Sequence, residues 1–175
     1  MTQKSTNSFY DLINKIEAFL LVTSVLLMAT NNIANVIGRV AFQQSLFFTD
    51  ELNSILIILI TFAGSSYAAR QARHIKMTAI FDMMSPLFKK IVITLISFIT
   101  AAVMLMMCYF SIEYISWIAP KGKVLPAMQI PVYLTYLWVP VSLFLTGLEY
   151  LLTTIKNIRN PELYMASNIK GDIYE

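Results

Sequence analysis

The sequence predicts an all-α integral membrane protein of four transmembrane helices with short interfacial amphipathic helices between them and both termini in the cytoplasm. Three observations lead there. Of 175 residues, 57% are hydrophobic and 13% charged, with a mean hydropathy of +0.65, whereas soluble domains carry roughly 25% charged residues. Four apolar runs each approach the roughly 20 residues that a bilayer span needs. The cations gather in alternate connecting segments.

Residues 1–17 form a polar start with Lys4 and Lys15. The first span is placed at 18–38. A charged start before an apolar run also fits a secretory signal peptide. The late onset of the run, and the lack of a small-x-small cleavage site in MATNN, favour an uncleaved helix. Asn31, Asn35 and Arg39 recur every four residues and share one stripe, with Asn32 beside it. Amides and a guanidinium are costly against hydrocarbon. The stripe should face another helix, a partner protein or the headgroup zone. Arg39 either marks the interface or makes a specific pair.

The connector 40–49 holds Phe42, Phe47 and Phe48, rings that suit the membrane interface. Thr49 reads as a helix N-cap, with Asp50 and Glu51 complementing the positive end of the helix dipole. One of these acids could equally pair with Arg39, and the two readings are compatible. The second span is placed at 51–69. Its second half contains the pairs Gly64–Ala68 and Ser65–Ala69, a spacing that lets helix backbones approach in lipid but also arises by chance in a run of small residues.

Arg70, Arg73, His74 and Lys76 form a basic exit. Met77, Ile80, Phe81 and Met84 then repeat as on an amphipathic helix lying on the membrane surface. His74 is either a proton relay or an interfacial polar residue. Lys89 and Lys90 introduce the third span, at 91–110. With the basic exit they are expected to meet phospholipid headgroups. Met104, Met106 and Met107 read as packing. Glu113, Tyr114 and Trp117 mark the outer boundary, and Lys121 and Lys123 lie in the following loop. The fourth span is placed at 131–152, with Pro131 in its first turn and Pro140 kinking it. Glu149 is expected to meet headgroups or Lys156. Residues 1–155 read as a single membrane domain, and 156–175 as a cytoplasmic tail without an apolar anchor.

Ten of the 13 Lys and Arg lie in the two termini and the loop between spans two and three. Only Arg39, Lys121 and Lys123 lie elsewhere. That asymmetry sets both termini in the cytoplasm. It also accounts for the net charge of +3 and the pI near 9.0 without a nucleic-acid partner. A single cysteine, Cys108, excludes an internal disulfide, and one histidine with one cysteine cannot build a usual zinc site. No acid falls near the middle of a span, where an ion-coupled carrier would bury ionisable groups. Phosphate-binding, HExxH and GxSxG motifs are lacking, and no enzyme activity or cofactor is expected. The chain should therefore either assist a partner or do something structural. The alternatives are a free-standing small oligomeric membrane carrier or channel, and a membrane enzyme or electron-transfer subunit.

Between Asn35 and Met77 the chain resembles the small membrane subunit, DctQ-like, of tripartite ATP-independent periplasmic (TRAP) transporters. The residues that carry the resemblance are Asn35, Val36 and Arg39; Phe42; Asp50, Glu51 and Leu52; Thr61, Phe62 and Gly64; and Arg73, His74 and Ile75. Gly38 departs from the pattern, which usually has a bulkier residue there. The resemblance implies an accessory or scaffold subunit in a bacterial inner membrane, without a substrate site of its own. It would support a large multi-span subunit of elevator type that holds the sodium and substrate sites. A periplasmic binding protein would deliver an organic acid such as a C4-dicarboxylate or sialic acid. Asn31, Asn35, Arg39, Asp50, Glu51, Gly64 and Ala68 are the candidate interface or structural residues.

Overall fold

The computed structural model describes residues 2–71, 85–160, 162, 164–166 and 169–170. Helix α1 spans Thr2–Phe42, α2 Thr49–Arg70 and α3 Pro86–Ile118. A 3-10 turn at Ala119–Lys121 follows, then the short α4 at Val132–Tyr136 and α5 at Trp138–Arg159. Strands β1 (Tyr164–Ala166) and β2 (Ile169–Lys170) pair antiparallel. Four segments are long and apolar enough to cross a membrane: Leu12–Phe42, Thr49–Arg70, Leu87–Lys121 and Val132–Arg159. Each predicted span lies almost wholly within one of them. The helices outrun the predicted spans because an α-helix continues into polar sequence, where hydropathy no longer marks it.

The fourth segment is broken at Leu137, and Pro140 falls in the first turn of α5, where its missing N–H leaves no ladder bond unmade. The interruption expected at this proline therefore lies three residues before it. The chain divides into two compact units, Met1–Tyr67 with Glu113–Val139, and Ala68–Ile112 with Pro140–Glu175.

In the first unit most buried positions of α1 and α2 follow a seven-residue spacing. On α1 they are Glu17, Ser24 and Asn31; on α2 they are Thr49, Leu56 and Ala63, with Ser66 buried three residues beyond. This is the period of a left-handed helix–helix seam, and apart from Leu56 small or polar side chains fill it, as suits packing in lipid. Large apolar residues such as Phe19, Val22, Leu26 and Val40 point outward.

In the second unit α3 buries Lys89, Ile93, Ser97, Ala101 and Cys108, and α5 buries Ser142, Thr146, Glu149, Tyr150, Thr153 and Asn157. Ala69, Ala101 and Tyr150 form a small apolar cluster, with Leu151 packed against it. Glu149 is thus inside the helix packing at 5% exposure, not among headgroups. Met106 and Met107, read as packing, are about half exposed. Polar side chains inside and large hydrophobic ones outside are what a hydrocarbon solvent selects.

Candidate functional site

The connector between α1 and α2 is built on amides. Asn31 Nδ2 donates to the Thr49 carbonyl at 3.2 Å and to Asn53 Oδ1 at 3.0 Å. Asn53 Nδ2 in turn donates to Asn32 Oδ1 at 2.6 Å. Asn35 Oδ1 accepts from the Leu46 N–H at 2.9 Å. Asn31 and Asn35 therefore face the connector and the next helix, one of the options the stripe left open. Gly38 explains its departure from the family pattern. Gln43 takes a left-handed φ of 58°, and the chain folds back so that the Gln44 N–H meets the Gly38 carbonyl at 3.3 Å. A Cβ at position 38 would lie 3.0 Å from the Gln44 carbonyl oxygen.

Arg39 does not join this network. It is exposed and forms no ion pair with Asp50 or Glu51 among the described residues. Glu51 is instead bonded to the loop between α3 and α4. Its Oε1 accepts from the Ala127 N–H and its Oε2 from the Met128 N–H, each at 2.8 Å. The loop is itself folded: Val124 bridges Pro131, the Leu125 N–H meets the Ile130 carbonyl at 2.9 Å, and Gln129 has φ 54°. Two bonds to one carboxylate are stronger than bonds between neutral groups. The pairing across the connector is thereby corrected, since the acid's oxygens are committed to backbone amides far along the chain. The N-cap is corrected as well: Thr49 is the first helical residue, and its buried hydroxyl makes no hydrogen bond. Asp50 is exposed in the first turn.

On α2 the most deeply buried small residues are Ala63 and Ser66, at 1% and 0% exposure. Gly64 and Ala68 are half-buried. A Cβ on Gly64 would sit 3.6 Å from Leu21 Cδ2, an ordinary contact. A glycine more tightly packed against another helix lies elsewhere. A Cβ on Gly147 of α5 would come within 3.0 Å of both Leu105 Cγ and Cδ2 on α3. Sequence reasoning passed over Gly147, although a glycine directly after Thr146 in an apolar span was visible. Glu17, Ser24 and Asn31 at sevenfold spacing were equally visible.

The cations assigned to headgroups are placed differently. Arg70 and Lys89 are buried, at 7% and 8% exposure. Lys90 Nζ donates to the Asn160 carbonyl at 2.6 Å, a cation on the carbonyl end of α5 where the helix dipole favours it. Arg70 and Lys89 are thus buried within the chain, and Lys90 uses one proton of its ammonium for capping. Arg73, His74, Lys76 and the amphipathic segment 77–84 lie outside the described residues. The tail is also tethered. Asn157 donates through Nδ2 to the Tyr164 carbonyl at 2.9 Å and accepts the Tyr164 N–H at 2.7 Å through Oδ1. Ala166 is 1% exposed.

Chemically, these groups are used for holding the chain together. Thr146, Thr153 and Thr154 each bond the carbonyl four residues earlier in α5. Cys108 Sγ lies 3.3 Å from the Pro140 carbonyl oxygen, as a weak donor. Among the described residues no cluster of three or more His, Cys, Asp or Glu could hold a metal ion.

Four lipid-length helices with polar interiors define a multi-pass membrane protein. Residues 28–160 match the DctQ component of the tripartite ATP-independent periplasmic transporters. The chain belongs to that family. It is 47% identical over 158 residues to the ectoine TRAP transporter small permease protein TeaB of Halomonas elongata, a match covering 90% of this chain and 82% of the relative. It is also 30% identical over 127 residues to a Haemophilus influenzae protein provisionally named a TRAP transporter small permease protein, covering 71% and 76%. These relatives are transport components, not enzymes. Membership implies association with a large TRAP subunit and a periplasmic binding protein.

Proposed function

We propose that this chain is the scaffold-forming small permease subunit of a sodium-gradient-driven uptake system whose solute is ectoine or a closely similar zwitterionic carboxylate. The large subunit holds the sodium and substrate sites and moves as an elevator. This chain widens its fixed part in the bacterial inner membrane, with both termini cytoplasmic and phospholipids around it. The observation that carries this reading is the contrast between interior and surface. Buried Asn31, Thr146, Thr153, Thr154 and Asn157 bond the chain's own backbone or side chains, while large apolar residues of α1, α3 and α5 face outward. Such a body offers surface to a membrane partner. The solute assignment is supported by the ectoine transporter to which the 47% identical relative belongs, and the orientation by the distribution of Lys and Arg.

The test is uptake into proteoliposomes under an inward sodium gradient. Large subunit, binding protein and this chain together should accumulate labelled ectoine, and omission of this chain should abolish accumulation. Accumulation by this chain alone would instead support a free-standing carrier. Arg39→Glu should lower recovery of the large subunit while leaving the fold of this chain intact, because Arg39 is exposed.

A further inference from the structure

A groove runs along α3 and α5 in the second unit, at the end where Lys90 caps α5. Its volume is about 530 Å³. Leu87, Ile91, Leu95 and Phe98 of α3 and Ile158 of α5 supply the apolar wall, with Lys90 and Asn157 among the polar lining residues. The apolar residues are exposed, Leu87 by 73% and Ile158 by 71%, so in the membrane something apolar must cover them.

Length and charge identify the occupant. From Leu87 to Phe98 the α3 wall rises about 16 Å, close to the roughly 15 Å depth of one leaflet's hydrocarbon. Lys90 lies in the outermost turn of that wall, where a headgroup sits. Its ammonium has three protons, and the Asn160 carbonyl engages one of them. Asn157 does not compete for a headgroup, since its amide is bonded to Tyr164. A transmembrane helix from a partner would match the apolar wall but would set a cation against its flank. An acyl chain below an anionic phosphate uses both features.

We propose that this groove is a specific site for one anionic phospholipid of the leaflet on the Lys90 side, its acyl chain along Leu87–Phe98 and its phosphate on Lys90. The proposal needs only that the chain is in a membrane, and is independent of solute and coupling.

The test is native mass spectrometry of the subunit complex released from membranes in mild detergent, titrated with phosphatidylglycerol or with phosphatidylcholine of the same acyl chains. One phosphatidylglycerol should bind at least roughly fivefold more tightly than phosphatidylcholine, the scale of one cation near an anionic lipid surface. Lys90→Gln keeps a donor for the Asn160 carbonyl and should erase that preference. Leu95→Trp fills the wall and should weaken both lipids. Equal binding of the two lipids, or a preference that survives Lys90→Gln, would overturn the proposal. So would disulfide capture of the large subunit by a Leu95→Cys variant, which would show a protein helix in the groove.

Discussion

The two units solve the same problem, polar groups inside a membrane helix bundle, in different ways. In the first, amides reach across: Asn31, Asn32 and Asn53 link α1 to α2, and Glu51 holds a loop 76 residues further along the chain. In the second, the threonines of α5 satisfy themselves on their own helix, and α3 and α5 meet through the close approach at Gly147. A side-chain amide or carboxylate carries two polar atoms and can join elements. A hydroxyl on a short stem is satisfied locally and leaves a smooth surface for packing. The first unit should therefore depend on hydrogen-bond chemistry, and the second on volume.

Four substitutions bring out that contrast. Gly147→Leu should have the largest effect, about 3 kcal/mol, because the added side chain overlaps Leu105. The check is the thermal unfolding midpoint in detergent, and an unchanged midpoint would mean that α3 and α5 are not closely packed. Asn31→Leu comes next, at about 1–3 kcal/mol, because it leaves the buried Thr49 carbonyl and Asn53 short of a donor. Asn31→Gln, which keeps a donor, should recover part of the loss. If both variants unfold like the parent, the amide account of the first unit is wrong.

Glu51→Ala acts on the loop more than on the bundle. Amide exchange at Ala127 and Met128 should accelerate by roughly tenfold, as a local opening free energy falls, with little change in global unfolding. Unchanged exchange would mean that the carboxylate does not hold the loop. Gly64→Ala should be smallest, within about 0.5 kcal/mol, because a Cβ there meets Leu21 at an ordinary 3.6 Å. A large loss would return the closest helix approach to the Gly64 face.

Much of this was legible in the sequence, because bilayer thickness fixes span length and hydropathy reports it directly. The Asn31–Asn35 stripe was legible for a related reason: an amide in an apolar helix has few places to go. Its partner Asn53 was less so, since one asparagine after an acidic pair looks like a helix start. The role of Glu51 was hidden. Its partners are backbone amides, which carry no sequence signature, in a loop whose placement depends on the tertiary fold. Arg39 misled because charge pairing across a short connector is the simplest local solution, and here the acid is bonded elsewhere. The headgroup role given to Arg70 and Lys89 did not anticipate that a cation near a helix end can be buried, and Lys90 also caps a neighbouring helix with one proton of its ammonium. Small-residue spacing pointed to α2, although Gly147 on α5 makes the closer approach. Composition shows which positions are small; only packing shows which of them is crowded.

Family membership implies an assembly with a larger membrane subunit, which would cover part of the outward apolar surface of this chain. The most direct test is purification of the tagged chain from its native membrane in mild detergent, followed by mass spectrometry of what remains bound. The account predicts a stoichiometric multi-span partner, with recovery reduced by Arg39→Glu. A homo-oligomer without such a partner would contradict it.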